Sequence, residues 1–284
     1  MKKFFAALIL AAFGAGAFCA DFSEYEMSLV NQALQIRLES RTVRGDKKAL
    51  DWLGKKRDEF FSSIKNGPVS QEAALALENF FVLEQYHFMW EIDSKAKTTD
   101  DFILNQFNKV SEWNSLHPPK TRSEWYEISS YEVINAAMPL LKHSKKISLG
   151  LEEKKFYDSM IKNKSEIGAL YLNAGLWYAF APAIGGGSDS KAKECFLTAA
   201  NVGASDYEKF FAHVYLSQID FKKGDSSAWK EDLDEADIIL PGNVYTDFVR
   251  RLNGAGLDAF EYANDKDGVI AKMNKHYEKK SEKK

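Results

Sequence analysis

Apolar residues recur along this chain at steps of three and four, the spacing of one helical face. Nowhere does two-residue alternation run between hairpin turns, so no sheet is expected. The first run, Phe22, Tyr25, Leu29, Ala33 and Ile36, predicts a helix over residues 21–40. Arg44-Gly45-Asp46 closes it, with Asp46 as the next N-cap, and Leu50, Leu53, Phe60, Phe61 and Ile64 share a second face that Asn66-Gly67-Pro68 stops. Ser70 caps a third helix, and Glu72 suits the positive end of its dipole. From Ala73 to Trp90 this helix is apolar nearly all round, which predicts burial on several sides and a central place in the N-terminal half.

Thr98-Thr99-Asp100-Asp101 caps a weaker helix that runs through Leu116 to His117-Pro118-Pro119. Thr121-Arg122-Ser123-Glu124 starts another, and Pro139 should kink or break it near Asn135 by removing a donor and crowding that carbonyl. The stretch 142–164 is rich in lysine and predicts a helix only after Gly150.

From Ser165 the pattern sharpens. Ile167, Leu170, Tyr171, Ala174, Tyr178 and Ala181 form one stripe, with Ser165 as cap. After the break Pro182 to Ser188, the residues Ala192, Phe196 and Ala199 form the next. A helix from Asp206 leads to the turn Gly224-Asp225, then to Leu233, Ala236 and a closing Pro241, and a terminal helix is expected over 243–263. The expected class is all-α, an array of antiparallel helix hairpins. Its divisions are a leader over 1–20, degenerate hairpins over 21–164, clearer repeats with a capping helix over 165–264, and a basic, flexible tail over 265–284.

The spacing in Tyr171 to Pro241 resembles the tetratricopeptide repeat. Tyr171, Gly175 and Tyr178 match the first helix of a unit, and Ala192, Phe196 and Ala199 match the second. In the following unit Gly224-Asp225, Leu233, Ala236 and Pro241 match the turn, second helix and close. Departures are Trp229 and Ser217 where small residues such as Gly or Ala are usual, His213 where a large aromatic is usual, and a first turn lengthened by Pro182 to Ser188. The resemblance implies an α-solenoid, with small residues at helix crossings and aromatics in the gaps beside them. The Pro-x-x-Gly-Gly break between paired helices is also similar to the helical T-component of tripartite periplasmic (TRAP) solute transporters. That family is normally lipidated, and it implies an accessory role in solute uptake.

Met1-Lys2-Lys3, an apolar run Phe4 to Phe18 and small residues before Asp21 read as a secretory signal peptide, so the chain is expected to be exported, periplasmic or secreted. Cys19 would tether the protein to a membrane if lipidated, but Phe18 before it is not the small residue such processing favours. Cys195 is the one other thiol, so no disulfide framework is expected. The formal net charge is −3, and loss of Lys2 and Lys3 makes it more negative, which argues against nucleic acid as a partner.

Candidate chemistry is sparse. The five histidines show no paired-ligand spacing, and Glu84-x-x-His87 has no second copy for a di-metal centre, so no metal or cofactor is expected. Gly185-Gly186-Gly187-Ser188 lacks the strand and lysine spacing of a phosphate loop. No catalytic residues are assigned. Aromatic residues exceed what thin helical layers need, and Tyr86, Trp90, Trp125, Trp177 and Tyr178, with His213, are read as lining a groove for a partner or ligand. The loop with Pro182, Gly185, Gly186 and Gly187 is read as a functional projection. The first expectation is therefore a non-enzymatic scaffold for a protein or peptide; the alternative is a binder of a small molecule.

Overall fold

The computed structural model describes residues 21–281, and the expected signal peptide, with Cys19, lies outside the described residues. Among the described residues 81% are helical, no strand occurs, and thirteen α-helices pack in contact. These are α1 (Glu24–Glu39), α2 (Asp46–Ile64), α3 (Gln71–Ile92), α4 (Lys97–Leu116), α5 (Glu124–Ala137), α6 (His143–Lys162) and α7 (Gly168–Phe180). The rest are α8 (Asp189–Val202), α9 (Asp206–Lys222), α10 (Ala228–Ile239), α11 (Tyr245–Gly254), α12 (Ala259–Asn264) and α13 (Lys266–Ser281).

Helices α1, α3, α5, α7 and α9 form the interior. α3 packs on α1 and α5, α7 packs on α5 and α9, and α9 packs back on α1, which closes a circuit of five helices. The intervening helices lie against them, α2 and α4 on α3, α6 and α8 on α7, and α10 on α9. As expected, α3 is buried on several sides, with Phe80 and Phe81 inaccessible and Val82 and Leu83 turned to a second cluster shared with α4 and α5.

The five inner helices begin at one end of the molecule, and their starts are stitched together by carboxylates. Ser23 and Glu26 form a capping box on α1, and the second oxygen of Glu26 accepts the Ser70 N–H at the cap of α3, 2.8 Å away. Glu72 in the first turn of α3 accepts from the Ser123 N–H at the cap of α5 (3.1 Å), and Glu124 of α5 accepts from the Ser165 hydroxyl before α7 (3.1 Å). The Ser205/Glu208 capping box on α9 repeats the Ser23/Glu26 arrangement, its free oxygen accepting the Ala169 N–H of α7 at 2.7 Å. Each bond satisfies a backbone or hydroxyl donor at a helix start and places negative charge where the dipoles favour it.

The other end is covered by the C-terminal helices. Val244 N–H bonds to the Arg41 carbonyl (2.9 Å), and Ala259 N–H to the Gln218 side chain (2.8 Å). Lys266 donates to the Trp90 and Glu91 carbonyls at the C-terminus of α3, where a cation is favoured. Residues 265–284 were expected to be a flexible tail, but 266–281 form α13. Val269 and Met273, one turn apart, give this lysine-rich segment an apolar face, and both are buried.

Other boundaries differ for local reasons. α1 starts after Phe22 because Ser23 is the better cap, and Tyr25 is left exposed. Gly45 with positive φ, and not Asp46, precedes α2. Ala96 precedes α4, and the Thr99 hydroxyl turns back to the Asp93 carbonyl. α6 runs through Gly150, which meets no side chain. α7 starts at Gly168, with Ile167 at its cap and the Ser165 hydroxyl accepting the Ile167 N–H. Pro139 acts as expected: α5 ends at Ala137 and a 3-10 turn follows.

The crossing of α7 and α8 is as tight as the small residues suggest. A Cβ on Gly175 would stand 2.3 Å from the Phe196 ring, so only glycine lets these helices approach. Ala192 and Ala199 beside it are fully buried.

Candidate functional site

The inside of the circuit is not a plain apolar core. Arg37 in α1, Glu84 in α3, Glu132 in α5, Asn173 in α7 and Tyr207 in α9 meet there, one residue from each inner helix. Arg37 donates from Nη1 to Glu132 at 3.1 Å and lies 3.6 Å from Glu84 through Nε. Its guanidinium stacks over the rings of Tyr207 (4.8 Å) and Phe80 (5.4 Å). Asn173 donates to the other oxygen of Glu132 at 3.0 Å. Burial works against the Arg37 charge, but the carboxylates of Glu132 and Glu84 help to outweigh it and the pKa is raised.

One turn further, Arg41 pairs with Glu84 through Nη2 at 2.6 Å, and the Ser40 hydroxyl donates to the same oxygen. The Arg41 guanidinium sits among three rings, Tyr245 at 5.2 Å, Phe88 at 5.3 Å and Phe211 at 5.5 Å. Tyr215 and His87 complete this end. Burial, followed by the charges of Arg41, Arg37 and Lys266, drives the His87 pKa well below the ordinary histidine value, so the ring is neutral. Burial likewise raises the Tyr207, Tyr215 and Tyr245 hydroxyls, which keep their protons.

His87, Tyr215 and Tyr245 are deep in the molecule, yet only partly covered. Their polar atoms, and the Tyr207 hydroxyl, have no hydrogen-bond partner among the described residues, and none of them is sealed from solvent. Polar atoms that are neither paired nor sealed open onto accessible space. The wall of that space combines aromatic faces, two arginines balanced by two glutamates, three free hydroxyls and a neutral imidazole. Aromatic rings with a few convergent polar groups thus line this interior chamber.

The groove residues expected from sequence do not converge. Tyr86 packs in the second cluster beside α4 and α5. Trp125 is buried at the start of α5, edge-on to Phe80. Trp177 and Tyr178 stand perpendicular to each other near Lys154, and the Tyr178 hydroxyl donates to Asp158 at 2.5 Å. His213 bonds to Asp232 at 3.1 Å, between α9 and α10. Trp90 packs with the C-terminal helices, edge-on to Tyr262 and beneath Lys266, whose charge acts on His87.

Glu84, one turn before His87, is held by two arginines, and among the described residues no group of three His, Cys, Asp or Glu side chains could hold a metal. The arginines escaped notice, although Arg37 extends the Leu29–Ala33 stripe by one turn, where a charge signals an interior pair. Glu132 and Asn173 likewise follow buried Ile128 and Ala169 by four residues.

In the loop, Pro182 leads into a 3-10 turn over Ala183–Gly185, Gly186 adopts φ 104°, and the Ser188 N–H bonds to the Tyr178 carbonyl at 2.9 Å. A Cβ on Gly187 would lie 1.8 Å from the Ala181 carbonyl oxygen, whereas one on Gly185 would make only an ordinary 3.9 Å contact with the Pro182 ring. Ile184 at the tip is fully exposed. Cys195 is buried, and burial pushes its thiol up to about 12, so it is inert at neutral pH. Among the described residues, no helix is long and apolar enough to cross a membrane. Comparison of the chain with protein-family models, with curated proteins and with solved structures finds no match.

Proposed function

We propose that this chain is an exported, non-enzymatic helical-repeat protein, a closed array of antiparallel hairpins of tetratricopeptide type that holds a small molecule inside the array. The observation that carries this reading is the set of unpaired, unsealed polar groups on His87, Tyr207, Tyr215 and Tyr245 within an aromatic wall. A peptide scaffold would use an open concave face, and the packing of α9 on α1 argues against one. An accessory part in solute uptake fits such a binder. Native mass spectrometry on protein taken gently from its own cells should show a retained small molecule, and Tyr207→Phe with Tyr245→Phe should reduce its occupancy. An apo mass from cells grown under several conditions would remove the reading.

A protein partner is favoured by a separate observation, the fully exposed Ile184 on a tightly built loop. A photo-crosslinker at position 184 in living cells should then trap one defined protein. Loss of that adduct when the crosslinker is moved to exposed Leu197 would confirm that the contact is local.

A further inference from the structure

We propose that the chamber takes a small organic acid, a single carboxylate on an apolar body about the size of one ring. The acid group would lie against Arg41 and Arg37 beside His87, and the body among Phe88, Phe211, Tyr215 and Tyr245. This inference rests on the reading of the circuit interior as a ligand site and adds the chemistry of the ligand.

The argument is a census of what the wall leaves free. Glu84 is occupied by Arg41 and Ser40 through one oxygen and faces Arg37 with the other. Glu132 receives Asn173 on one oxygen and Arg37 on the other. Both carboxylates already face an arginine, so a cationic ligand would compete with Arg37 and Arg41 for them. The arginines are different. Arg41 Nη1 and Arg37 Nη2 have no hydrogen-bond or ion-pair partner among the described residues and are not sealed. Both side chains are more than nine-tenths buried, at 8% and 7% exposure, so bulk water does not compete freely for them. Free guanidinium nitrogens in a fixed, ring-stacked orientation match the two oxygens of a carboxylate.

Three further features set the class. The cations acting at His87 are Arg41, Arg37 and Lys266, and the last is held in place by backbone carbonyls and Glu91, so this end of the chamber favours negative charge. Arg37 and Arg41 are already paired with Glu84 and Glu132, so a ligand with two carboxylates would bury more uncompensated charge than one with a single carboxylate. Three rings stand 5.2–5.5 Å from the Arg41 guanidinium, leaving aromatic surface for a ring-sized apolar body. The tyrosine hydroxyls can donate to the acid or accept from a hydroxyl on the body.

Isothermal titration of the folded protein with phenylacetate, benzoate and cyclohexanecarboxylate, each beside its amide and its amine, tests the class. At least one acid should bind, about tenfold or more tighter than its amide, with the amine weakest. Arg41→Lys should abolish the preference for acid over amide, while Tyr245→Phe and Tyr207→Phe, which remove one oxygen each, should weaken binding severalfold with the melting temperature kept. Equal binding of acid and amide, or tighter binding of the amine, overturns the anionic class and leaves the chamber standing. Failure of every acid also overturns this inference, whereas the chamber itself stands or falls on the retained molecule seen by mass spectrometry.

Discussion

Glu153 shows how a single buried group gives the protein a pH dependence. It is inaccessible on α6, accepts from Asn135 at 2.6 Å, and its second oxygen is sealed without a partner, as is the Tyr157 hydroxyl. Burial, the largest influence, raises its pKa to about 8, above the ordinary 4.5, although the Asn135 hydrogen bond opposes the rise. The folded chain therefore holds one proton more than the unfolded chain between those two values, and stability falls as pH rises through that window. Glu127, raised to about 7 by burial despite Arg122, acts in the same direction. His87 has the opposite sign: its lowered pKa costs stability as pH falls below the unfolded value of 6.5. Glu153→Gln should gain on the native protein by a few kcal/mol between about pH 5 and 8. Melting temperatures of the two proteins across that range check it; a constant difference would show that Glu153 ionises normally.

At the scale of elements, the turn between α7 and α8 carries the sharpest expectation. Gly187→Ala places a methyl group on the Ala181 carbonyl and should cost about 2 kcal/mol or more, while Gly185→Ala should be nearly neutral. Denaturant midpoints of the two variants, compared at constant slope, decide it. The same scale shows what was legible in the sequence. The α7–α8 crossing could be read because Gly175 and Phe196 meet within one local pair, and α3 because its apolar residues circle the helix. α13 was missed because lysines outnumber its two buried residues. The capping boxes at Ser23/Glu26 and Ser205/Glu208 are visible as Ser-x-x-Glu, but the second bond of each glutamate, to a helix 44 or 39 residues away, leaves no mark in local spacing.

For the whole molecule the decisive contact is α1 on α9, and it explains why the chamber was not foreseen. Residues that build it come from five helices across the chain, and each looks ordinary on its own helix. Arg37 is the keystone of the closure, since it faces α3, α5 and α9 together. Arg37→Met should destabilise by about 3–5 kcal/mol, chiefly because Glu84 and Glu132 stay buried without full compensation. Adding Glu132→Gln to that variant should return part of the loss. A double-mutant cycle by urea denaturation measures both terms, and strict additivity would show that the two residues do not act as a pair.

That closure also sets an order on assembly. A chain made from its N-terminus exposes α1 long before α9 exists, and Arg37 meets its last ring only when Tyr207 arrives. Until then the nascent protein is an open strip with one arginine face uncovered, vulnerable to premature capture by other chains. Docking of the first helix on the ninth is thus expected as a late, rate-limiting event, because contacts so distant in sequence close slowly.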